Sequence, residues 1–116
     1  ARPYLVEEIE YEASAVAKHW KNPQEVRARL AALRQRYATI SQWDEEPLET
    51  ELRALADELG IGGGKLIHPL RVAVTGLAVS PGIFEVLVAL GPDLTIRRLD
   101  AAIEALDRME QPNTGH

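Results

Sequence analysis

Apolar side chains recur every three or four residues along almost the whole chain, and no stretch alternates long enough to form a strand. Leu5, Ile9, Ala13, Val16 and Trp20 line one helix face, and Val26, Leu30, Leu33 and Tyr37 line the next. Leu48, Leu52, Leu55 and Leu59 make a third stripe, stopped by Gly60. A fourth helix runs through Leu70 and Val74 and ends near Gly76; its start stays open because Pro69 prefers a first turn. Ile83, Val86, Leu87 and Leu90 give the fifth stripe, ended by Gly91-Pro92, and Ile96, Leu99, Ile103 and Leu106 give the last.

The residues between the stripes are helix punctuation. Asn22-Pro23-Gln24-Glu25 reads as a capping box with proline at the first helical position. Pro47 restarts the chain into the third helix, and Ile61-Gly62-Gly63-Gly64 is a connector. Ser80-Pro81 predicts another helix start, the hydroxyl capping free amides and the proline occupying the first position. The pattern predicts an all-α fold, a bundle or orthogonal cage of about six short helices with helix-turn-helix connections. It divides into an N-terminal helical subdomain over 1–60, a second over 61–110 that carries the candidate site, and a polar, mobile tail over 111–116. Trp20 and Trp43 read as packing residues at the seam between the halves.

At 116 residues the chain is one domain by size, and a hydrophobic share of 46% supports a core. No apolar run approaches the length of a membrane span, and no basic segment followed by an apolar one opens the chain. There is no cysteine, and His19, His68 and His116 lie too far apart in sequence to suggest a zinc site. The expectation is a cytoplasmic protein that uses no metal. The start at Ala1-Arg2-Pro3-Tyr4, without methionine, fits a segment of a longer polypeptide.

The net charge of −5 argues against a general nucleic-acid coat. Residues 1–59 carry eight Lys/Arg against twelve Asp/Glu, yet from 60 to 90 the only charges are Lys65, Arg71 and Glu85. RNA affinity would have to rest on a few placed groups or on another domain. Arg71 is the first such group, an isolated charge in an apolar helical stretch. It suits an anion or a base edge, or a structural role, paired with Glu85 or capping a carbonyl. The glycines before Lys65 do not make a phosphate loop: Leu59 and Leu66 stand where that motif needs Gly and Ser/Thr, and no strand precedes them. Arg97-Arg98 reads as a solvated face. The carboxylates are scattered over helix faces, and no nucleophile–base arrangement is visible.

The stretch Pro69-Leu-Arg-Val-Ala-Val-Thr-Gly76, followed by Ser80-Pro-Gly-Ile-Phe-Glu85, resembles the C-terminal anticodon-binding domain of bacterial glutamyl-tRNA synthetases. The likeness is densest from Gly64 to Leu99, continuing through Val88-Ala-Leu-Gly91 and Arg97-Arg98-Leu99. It implies that Arg71, Ser80, Pro81 and Ile83 face a tRNA anticodon loop, with Lys65, His68 and Phe84 as weaker contacts, Phe84 being more at home in the core. It implies a parent glutamate–tRNA ligase whose ATP and Mg2+ belong to a catalytic domain. That domain's His-x-Gly-His and Lys-Met-Ser-Lys-Ser-like signatures are absent here, so this chain is expected to be non-catalytic and to bind no cofactor. The implied partners are glutamate tRNA, with glutamine tRNA left open, and the rest of the synthetase. A helical interaction module docking a protein through Leu77-Ala-Val79 is the alternative, with a small helical enzyme behind it.

Overall fold

The computed structural model describes residues 10–110. The N-terminal residues Leu5 and Ile9 and the tail over 111–116 lie outside that range. Among the described residues six helices follow one another: α1 (Ala13–His19), α2 (Pro23–Ala38), α3 (Glu45–Leu59), α4 (Gly64–Thr75), α5 (Ile83–Leu90) and α6 (Pro92–Glu110). All are α-helices and no strand occurs among the described residues, as the apolar period predicts.

One core serves all six. Leu30 and Leu33 of α2, Leu52 of α3, Leu66 and Leu70 of α4, Leu87 of α5 and Leu99 and Leu106 of α6 are fully buried in it. The most extensive pairing is between α2 and α6. Arg27 bonds Asp107 at 2.5 Å and Arg34 bonds Asp100 at 2.8 Å, so the two helices run antiparallel with two clamps along their contact. Such half-exposed pairs contribute little stability, about 0–1 kcal/mol each. Their use is in setting which faces meet.

The two tryptophans do stitch the halves together. Trp20, just past α1, is buried, packs at a tilt of 51° against Tyr11 with ring centroids 4.8 Å apart, and donates Nε1–H to the Pro69 carbonyl at 3.3 Å. Trp43, before α3, donates to the Leu87 carbonyl at 2.8 Å and meets the Tyr37 ring edge-on. The Tyr37 hydroxyl donates to the Leu48 carbonyl, and burial pushes its pKa well up.

Several local expectations are corrected. Pro69 lies in the interior of α4, which begins at Gly64. Its missing N–H costs only the bond to the carbonyl of exposed Lys65, while its own ring is buried. The helix α3 starts two residues before Pro47, and Asn22 donates to the Glu25 side chain at 3.4 Å rather than capping α2. On α1 the buried position is Ala15, with Ala13 exposed; on α3, Ala56 is buried and Leu59 is 44% exposed. Arg98 is not solvated. Its Nη1 donates to the Val74 carbonyl at 2.7 Å, satisfying an end group of α4 and pinning α6 there, and burial lowers its pKa. No described helix is long and apolar enough to cross a membrane.

Candidate functional site

The α4–α5 connection is built around three short-range bonds. Thr75 Oγ1 donates to the Arg71 carbonyl at 2.6 Å and accepts the Leu77 N–H at 3.0 Å, closing the helix and turning the chain outward. Gly76 follows in the left-handed region at φ 79°, its N–H bonded to the Val72 carbonyl. Its carbonyl accepts the Glu12 N–H at 2.7 Å, and a Cβ there would sit 2.2 Å from the Glu10 carbonyl oxygen. Glycine is required by both the dihedral and the close approach. The turn is therefore held from below by the segment that leads into α1.

Arg71 reaches from α4 across to this turn. Its Nε donates to Ser80 Oγ at 2.9 Å, and the same hydroxyl donates to the Pro81 carbonyl at 2.8 Å. With Nε anchored, the guanidinium is fixed in direction, and among the described residues neither Nη group has a partner. Arg71 therefore makes no pair with Glu85, and the structural alternative of that ion pair falls. The capping expectation for Ser80 falls as well: α5 begins at Ile83 with Gly82 at the N-cap, and Ser80 has turned to Arg71 instead. Pro81 is exposed, as are Leu77 and, at 79%, Val79. Ile83 points the other way, 4% exposed in the core, and Phe84 packs half-buried beside it.

His68 lies three residues from both Lys65 and Arg71 and so adjoins each, Lys65 and Arg71 themselves standing about 120° apart around α4. His68 stacks on His19, with ring centroids 4.9 Å apart and planes 16° from parallel. Partial burial, then the nearby charges of His68, Lys18 and Arg71, lower the His19 pKa. Around this pair lies a cleft of about 520 Å³ between α1, the start of α2 and α4, whose lining includes Lys18, Lys21 and Lys65. Sequence reasoning found Lys65 and His68 but missed Lys18, His19 and Lys21. No group of His, Cys, Asp or Glu suited to a metal occurs among the described residues.

Comparison with known proteins places this geometry in context. The chain matches the anticodon binding domain family over residues 1–103. It is 51% identical over 79 residues to a glutamate–tRNA ligase of Roseiflexus castenholzii, an overlap of 68% of this chain and 16% of that protein. It is 37% identical over 107 residues to a glutamate–tRNA ligase of Syntrophobacter fumaroxidans, covering 92% of this chain and 22% of the relative. The crystal structure of a glutamate tRNA ligase from Elizabethkingia meningosepticum, in complex with its amino acid, superposes with a TM-score of 0.79 at 25% identity. That overlap covers 85% of this chain and 19% of the other. The chain thus spans between 16% and 22% of the length of these proteins.

Proposed function

Because the chain belongs to the anticodon binding domain family, we propose that its α4–α5 turn grips the anticodon loop of glutamate tRNA on behalf of a glutamate–tRNA ligase. The observation that carries the reading is the guanidinium of Arg71, anchored at Nε by Ser80 with both Nη groups uncommitted among the described residues. A planar donor fork held in one direction suits the edge of a base, where a swinging lysine would not. Loop bases are unstacked and need apolar partners for their faces; Leu77, Val79 and Pro81 stand exposed beside the fork. Ser80 positions Arg71, Ile83 and Phe84 hold the turn onto the core, and Lys65 and His68 extend the surface along α4.

Recognition here is separate from chemistry. Ligation, with its ATP and Mg2+, falls to other parts of such an enzyme, and this domain holds the loop so that the acceptor end reaches them. The cytoplasm, where tRNA is charged, is the matching compartment. Glutamine tRNA is a second substrate to test beside glutamate tRNA.

Binding of glutamate tRNA and of anticodon-substituted versions tests the assignment. Arg71→Ala is expected to weaken binding by about 1–3 kcal/mol and to relax preference at one anticodon position. Unchanged binding at every anticodon, with unchanged melting, refutes it. A stoichiometric protein partner held without RNA would replace it with the interaction module.

A further inference from the structure

The chain contains three lysines, Lys18, Lys21 and Lys65, and all three line the one cleft between α1, α2 and α4. All three are exposed, and among the described residues none has a carboxylate partner. The arginines are treated differently. Arg27, Arg29, Arg34, Arg36, Arg53 and Arg108 are each matched to an Asp or Glu, and Arg98 to a backbone carbonyl. The Arg36 fork takes both Glu51 and Glu58. Among the described residues the three lysines thus join Arg71 in carrying charge that no carboxylate offsets, in a chain whose net charge is −5. The carboxylate in the cleft wall, Glu25, is itself engaged by Arg29 at 3.2 Å and by the Asn22 amide.

We propose that this cleft, with Lys18, Lys21 and Lys65 around the stacked His19 and His68, binds the sugar–phosphate backbone of the RNA whose loop meets the Arg71–Ser80 turn. The proposal rests on the anticodon-loop reading and extends it from bases to backbone. Lysine is a compact charge on a flexible stem, matched to phosphate rather than to a base edge. An imidazole in either charge state offers an N–H donor to a phosphate or ribose oxygen. Continuity with the turn is built into α4. Lys65, His68 and Arg71 follow at three-residue steps across a face about 120° wide, with His68 between the other two, about 9 Å from first to last at the helical rise. Bases would be read at one end of that face and the strand held at the other.

Binding of an anticodon stem-loop RNA, followed by fluorescence anisotropy over a series of salt concentrations, tests this. The variant carrying Lys18→Gln, Lys21→Gln and Lys65→Gln should show a salt slope shallower by about 2, from roughly 0.7 per single-strand phosphate contact. Its preference among loop sequences should be unchanged. Arg53→Gln with Arg108→Gln, which removes two exposed positive charges elsewhere, should leave the slope nearly intact. A triple variant with unaltered slope and affinity, while Arg71→Ala loses loop preference, overturns the cleft and leaves the anticodon reading standing. A lysine-dependent slope in a chain with no loop preference supports the cleft as a backbone site and overturns the anticodon reading. No binding to the stem-loop overturns both.

Discussion

Replacing Gly76 with alanine should be among the most damaging single-methyl changes in this chain, and the cost separates into parts. Holding alanine in the left-handed region costs about 1–2 kcal/mol. The new methyl would lie 2.2 Å from the Glu10 carbonyl oxygen, so that backbone must retreat by roughly 1 Å to reach ordinary contact. Retreat breaks the Glu12 N–H bond to the Gly76 carbonyl, about 1 kcal/mol. It also loosens Tyr11 from Trp20, about 0.5–1.5 kcal/mol. The sum is about 2.5–4.5 kcal/mol against a typical total of about 5–15. Gly60→Ala supplies the control, because Gly60 is also left-handed, at φ 69°, but a Cβ there meets nothing within 4 Å. It should lose only the strain, about 1–2 kcal/mol. At about 4 °C per kcal/mol for a domain of this size, the two melting temperatures should differ by roughly 8 °C. Thermal unfolding followed by far-ultraviolet circular dichroism measures both. Equal losses for the two variants would refute the argument that the segment before α1 is clamped beneath the turn.

Ser80→Ala should change stability by less than about 0.5 kcal/mol, since the N-cap of α5 is Gly82, while tRNA affinity falls as Arg71 loses its anchor. A stability loss of cap size, about 1 kcal/mol, would return Ser80 to a capping role. For His19, the depressed pKa means the unfolded chain takes up the proton first as pH falls. Stability is thus unaffected by this group well above its ordinary value of 6.5 and declines as pH drops through 6.5 toward the lower folded-state value. His19→Gln should flatten that decline in melting temperature, and an identical pH profile would discount it.

What was legible in the sequence followed from short-range periodicity. Val26, Leu30, Leu33 and Tyr37 are all buried as their spacing requires, and both tryptophans sit between the halves. Arg71 stood out because an unpaired charge in an apolar stretch is visible without coordinates. Ser80 was misread because Ser-Pro is a cap by local rules, and only the approach of Arg71 from α4 gives its hydroxyl another use. Arg98 was misread because the carbonyl that buries it belongs to Val74, in another helix. The lysine cleft was hidden for the same reason. Lys18 and Lys21 lie more than forty residues from Lys65, in a half of the chain that is acidic as a whole, and only the packing of α1 and α2 against α4 brings the three together.

The α2–α6 clamps carry a consequence for how the chain tolerates changes of length. Arg27 and Arg34 are seven residues apart on α2, and Asp100 and Asp107 are seven apart on α6, so the clamps share one two-turn register. A single residue inserted between the arginines would rotate one about 100° relative to the other. One clamp would then be pulled from the seam, together with the buried leucines beside it. Between the clamps, insertions and deletions keep registry only as two-turn blocks matched in both helices. Other additions are absorbed where no such phase is held, at the connector around Gly62 or in the exposed turn at Leu77–Val79.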